Sequence, residues 1–154
     1  IYWLRAGGSE PANYTWTFTS TWRTGVIMTL RGAETSGDPW DTFLSAIQAQ
    51  NDAPTVGSIT TLGADRLLAA FFSTFDGALA VWGPGASGMT ERVEFEEIEA
   101  LTEDFATEGA TGAQTISVTG GVNPEYCVGF QIAIKPPAAG GAATYPGADG
   151  CGVF

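Results

Sequence analysis

Residues 14–22 read YTWTFTSTW, with rings at Tyr14, Trp16, Phe18 and Trp22 and Thr at most positions between them. Side chains alternate between two faces along a strand, so a period of two marks an extended segment and argues against a helix. The period returns in GVIMTLRG, where Val26, Met28 and Leu30 share a face. It returns again in EYCVGFQIAIKPP, where Val128, Phe130, Ile132 and Ile134 oppose Cys127, Gly129, Gln131 and Ala133. Turn-forming runs such as AGGSEPAN and GPGASG separate these segments, in a chain with 21 Gly and 8 Pro. Many short strands with turn signals every ~8–12 residues predict an all-β fold, an antiparallel β-sandwich of jelly-roll or Ig-like type.

Further strands are expected at residues 1–5, at TVGSITTL (55–62), and in short form within DGALAVW. RLLAAFFSTF (66–75) is apolar on both faces, which suits a central strand covered on both sides. Residues 91–108 carry two signals. Phe95, Ile98, Leu101 and Phe105 recur at helical spacing, whereas Val93 and Phe95 alternate with Arg92, Glu94 and Glu96; the strand reading is preferred. GAQTISVTGG reads as one strand with Ile116 and Val118 on one face. Residues 33–43 read as a loop, and LSAIQAQNDAP (44–54) as a helical turn or irregular chain. Pro136 and Pro137 end the last strand, because Pro cannot donate to a ladder. The domain therefore spans residues 1–137. Residues 138–154 form an extended Gly/Ala-rich tail, in which Tyr145 and Phe154 are candidate subunit contacts. Tyr14, Trp16 and Phe18 are expected to face the core, since a sandwich needs large inward residues and the Thr face suits solvent.

Charge and residue types remove whole classes of function. With 6 Lys and Arg against 17 Asp and Glu, the net charge is −11, the wrong field for neutralising nucleic-acid phosphates or binding anionic membranes. No apolar run approaches the ~18–20 residues that span a bilayer. The absence of His excludes Ser-His-Asp triads, Cys-His dyads and His-based zinc sites. Cys127 and Cys151 are too few for a disulfide framework or a Cys-rich metal site. Paired-carboxylate chemistry survives on residue type alone, but no motif singles out an acid, so the chain reads as a non-enzyme. Ca2+ is the cation to consider: Asp38 and Asp41 flank Pro39 and Trp40 in a Gly-containing loop. The acidic run Glu96, Glu97, Glu99, Glu103 and Asp104 reads as a solvated strand face. Trp40 and Trp82 sit at loop edges, where a Trp either plugs one end of a sandwich or stacks on a sugar ring or partner surface.

Several short motifs resemble one another's counterparts in a known group. They are Tyr2-Trp3-Leu4-Arg5-Ala6, Glu10-Pro11, the Thr-rich aromatic segment from Tyr14 to Phe18, Leu30-Arg31-Gly32, TTLGADRLLAAF from Thr60, GATGAQT from Gly109 and the closing IAIKPP. Together these resemble small β-sandwich proteins encoded among the structural genes of tailed bacteriophages and prophages. The likeness runs through Pro137. The group's upstream strand pair and Gly-Trp are missing, which leads us to expect further sequence before Ile1; the acidic 91–108 stretch and the tail also depart from its pattern. The resemblance implies a virion protein on the particle exterior, either capsid decoration or tail appendage, contacting other virion proteins as a homo-oligomer. The alternative is a carbohydrate-binding module, virion-borne or secreted, that holds host-surface glycans through Trp40 and Trp82.

Overall fold

A computed structural model describes residues 1–19, 24–49, 52–75, 80–83, 85–86, 88–119, 126–138 and 150–153. Its strands are β1 (Val26–Thr29), β2 (Trp40–Ala49), β3 (Thr55–Val56), β4 (Arg66–Phe75), β5 (Val81–Trp82) and β6 (Thr90–Phe95). They continue with β7 (Ile98–Phe105), β8 (Gln114–Thr115), β9 (Val118–Thr119), β10 (Tyr126–Ile134) and β11 (Gly150–Val153). No helix forms among the described residues, and the pairings are antiparallel: the chain is an all-β sandwich.

The main layer is a five-stranded sheet in the order β2-β10-β4-β7-β6. β4 takes the centre, as its two-sided apolar run requires: Leu67, Leu68, Ala69, Ala70 and Phe72 are all buried. Residues paired across the ladder share a face, so Gly129, Phe72 and Glu99 line one row, and Gln131, Ala70 and Leu101 the next. Over this face lie the two-stranded sheets β3-β8 and β5-β9. They supply Val56, Trp82 and Val118 to a cluster with Ala70, Phe72, Leu101 and Ile116. Gly129 allows the close approach of the layers, because a Cβ there would lie 3.1 Å from the Val56 Cβ and 3.3 Å from the Phe72 ring.

Residues 91–108 are strands. β6 and β7 form a hairpin in which Phe95 pairs with Ile98, leaving Glu96 and Glu97 as the loop. Glu96 takes φ 46°, the positive region that tight hairpin loops demand.

Four expectations change. Residues 40–49 form β2, which overturns the loop reading at 40–43 and the helical-turn or irregular reading at 44–49: Leu, Ala and Gln are good helix formers, but ladder bonds to β10 override that local preference. GAQTISVTGG is split into β8 and β9, which pair with different partners, although Ile116 and Val118 are both buried as the alternation implies. The tail returns at its end as β11, pairing with β1 from Val26↔Val153 to Thr29↔Gly150.

The fourth change is the N-terminal region. Neither residues 1–5 nor residues 14–18 form a strand, and Tyr14, Trp16 and Phe18 are 39%, 37% and 48% exposed, so these rings do not face the core. Alternation gives a segment two faces but no ladder partner. Here the Tyr14 hydroxyl and the Gly7 N–H both donate to the Glu10 carboxylate, tying the segment into a local turn. Residues 20–22 lie outside the described residues.

Candidate interaction surface

The second face of the five-stranded sheet has a buried half and an open half. Under β4 and β7, Leu67, Ala69, Ala100 and Thr102 are buried. Towards the β2 edge the same face opens: Phe43 is 57% exposed, Ile47 76%, Tyr126 55% and Val128 41%. Register explains the grouping. Phe43 stands opposite Ile132, Ser45 opposite Phe130 and Ile47 opposite Val128, so β2 and β10 present one continuous surface. Its rings form a ladder across three strands: Phe43 stacks on Phe130 at 5.8 Å between centroids, and Phe71 meets Phe130 at 6.4 Å.

No charged residue falls in this surface, and residues 42–49, TFLSAIQA, carry none at all in a chain of net charge −11. β2 is also an end strand, and among the described residues none pairs with its outer edge. Edge strands are usually blunted by Lys, Pro or a bulge along their length. The one register shift here lies at the extreme end, between Ala133 and Ile134 on β10.

The sequence-derived candidates are placed as follows. Trp82 is 5% exposed. Its indole N–H donates to the Glu96 carbonyl at 3.0 Å and its backbone N–H to Glu94 Oε1 at 3.3 Å. It is a core residue bracing the β6–β7 hairpin, with no face open to a sugar. Trp40 is half-buried and meets Trp3 edge-on at 4.9 Å. The Arg5 guanidinium lies 5.7 Å from the Trp3 ring and donates to the carbonyls of Glu34 at 3.1 Å and Gly37 at 2.8 Å. This pins residues 3–5 against the loop before β2.

Asp41 forms an ion pair with Arg66, Nε to Oδ2 at 2.5 Å, with side chains 4% and 12% exposed. Nη2 reaches Oδ1 at 3.3 Å, and the Leu62 N–H donates to Oδ2 at 3.1 Å. A cation at Asp41 would compete with this guanidinium, and the nearby Asp38 side chain is exposed. Among the described residues no group of three or more acidic or Cys side chains is placed to hold a metal. Tyr145 and Phe154 lie outside the described residues.

One polar feature escaped sequence reasoning. Glu99, from the supposedly solvated acidic run, is fully buried on the core face beside Phe72. Neither of its carboxylate oxygens has a hydrogen-bond partner among the described residues. Desolvation, and then the charges of Glu91 and Glu94, push its pKa up to about 8. Burial also raises the Glu103 carboxyl, four residues along the same strand. Comparison with known proteins adds no neighbour: no family model matches the chain, and no curated protein or solved structure matches it.

Proposed function

We propose that the chain is a non-enzymatic structural subunit that acts by packing against other proteins on the exterior of a tailed-phage particle, as capsid decoration or tail appendage. The observation that carries the packing role is the uncharged apolar surface of β2 and β10. Contiguous exposed apolar area on a soluble domain marks an interaction site, whereas single exposed apolar residues do not. The acidic remainder suits an outward-facing subunit, since a large net charge keeps a particle surface soluble. The particle itself is suggested by the sequence resemblance. The test is antibody-gold labelling of purified particles with antibody raised against this chain. Label on heads or tails supports the reading and separates decoration from appendage; unlabelled particles with the protein free in the medium overturn it.

A second reading keeps one observation in its favour. Trp40 with the half-exposed Trp3 and Arg5 is a small aromatic site of the kind that stacks on a sugar. A glycan-binding module would quench its Trp fluorescence on titration with soluble glycans, and Trp3→Ala would abolish that change. A virion packing subunit would ignore the glycans.

A further inference from the structure

We propose that two copies of this chain join through β2, edge to edge and antiparallel, about a two-fold axis passing beside Ser45. The inference goes beyond the virion reading, because it concerns the isolated chain in solution.

Three observations lead to it. β2 exposes apolar groups on both faces: Phe43 and Ile47 on one, and Leu44, 38% exposed, on the other. A layer laid over one face would leave the other open, whereas a strand added in the plane of the sheet covers both. Second, the occupant must approach a chain of net charge −11 without bringing acidic groups together. Residues 42–49 are uncharged, so a second copy meets no like charge along this line.

Third, the strand is self-complementary. In antiparallel pairing, opposed residues share a face. A two-fold at Ser45 sets Phe43 opposite Ile47 of the second copy, Leu44 opposite its Ala46, and the reverse of each. Shifting the axis by one residue sets Phe43 against Ser45 or Ala49 and loses the ring-to-branched-chain contact. With the axis at Ser45, the Phe71–Phe130–Phe43 ladder runs on into Ile47 and Val128 of the second copy, making one sheet from two. The Trp3–Trp40 pair lies beyond the end of the paired span and leaves it open.

The test is sedimentation velocity of the full chain over about 1 to 100 μM, a range that resolves micromolar association. A concentration-dependent species of twice 16.0 kDa is expected. Ile47→Lys places a charge at a strongly exposed position on the edge and should weaken the dimer at least ~100-fold, since the two-fold counts the change twice. Val81→Lys, at another exposed apolar position but on β5, should leave it unchanged. Unaltered melting temperatures establish that the variants fold. Ser45→Cys in a Cys151→Ser background should yield a reducible covalent dimer, because directly opposed residues bring their Cβ atoms to about 4.5–5.5 Å. A wild type that stays monomeric throughout the range overturns the proposal, as does a dimer indifferent to Ile47→Lys. A dimer lost only on removing residues 1–19 also overturns it and assigns the contact to the aromatic N-terminal segment.

Discussion

Glu99 should make this protein less stable as the pH rises across neutrality. In the fold its carboxyl is buried without a hydrogen-bond partner among the described residues, and its pKa stands at about 8 against an ordinary 4.5. Between those values the native state holds a proton that the unfolded chain has released, so stability falls as pH rises. The contribution is fully present below pH ~4.5 and is lost progressively up to about pH 8. Working through the two binding curves, the loss is about 1 kcal/mol at pH 5, ~3 at pH 7 and ~4 at pH 8. That is a large share of the ~5–15 kcal/mol that holds a typical domain together. Glu99→Gln supplies a neutral isostere of the protonated acid and removes the dependence. The assay is urea unfolding followed by Trp fluorescence at half-unit steps from pH 5 to pH 8.5. The stability gap between Glu99→Gln and wild type should widen by ~4 kcal/mol across that range; the gap at pH 5 absorbs any steric cost of the amide. Glu91→Gln and Glu94→Gln should each flatten the wild-type curve by less, because their charges act after desolvation. Parallel curves for wild type and Glu99→Gln would refute the reasoning, since they require a carboxyl that titrates alike folded and unfolded.

Asp41→Ala leaves the nearly buried Arg66 guanidinium without its ion-pair partner and should cost ~3–5 kcal/mol, read as a lower urea midpoint. Trp16→Ala removes a ring that is substantially exposed and should change stability by no more than ~1 kcal/mol, so a lost or collapsed thermal melt would put that ring in the core after all. Glu96→Gly relieves the positive φ of the β6–β7 loop while keeping the carbonyl that Trp82 uses, and should raise stability by about 0.5–1 kcal/mol in the same unfolding assay.

What the sequence made legible was local. Residues 66–75, apolar on both faces, can satisfy that pattern only in the middle of a covered sheet, and β4 is there. The alternation in EYCVGFQIAIKPP is reproduced in β10 from Tyr126 to Ala133, with Cys127, Gly129, Gln131 and Ala133 buried; only at Ile134, which is buried as well, does it stop. Alternation alone did not say which half faces inward. The smaller set does, because Val56 and Phe72 already fill the space above Gly129. Trp82 looked like a loop-edge Trp beside Gly83, and nothing local announced that its indole would find the Glu96 carbonyl across the core. The aromatic run at residues 14–18 shows the opposite limit, a strand pattern whose ladder partner no periodicity can name.

Glu99 was legible in principle. Glu99, Leu101 and Glu103 alternate along β7, so all three share one face. An apolar Leu101 demands that this face turn inward at least there, and a strand has no way to turn Leu101 in while turning Glu99 out. The cost falls on a carboxyl that keeps its proton, and a neutral acid is what a core can hold. The uncharged edge of β2 follows from the same constraint applied outside. In a chain this acidic, a stretch of strand without charge is where two proteins can meet without unpaired carboxylates between them. Both features are exceptions to the chain's acidity, one neutralised by burial and one by composition, and each sits where packing requires the absence of charge.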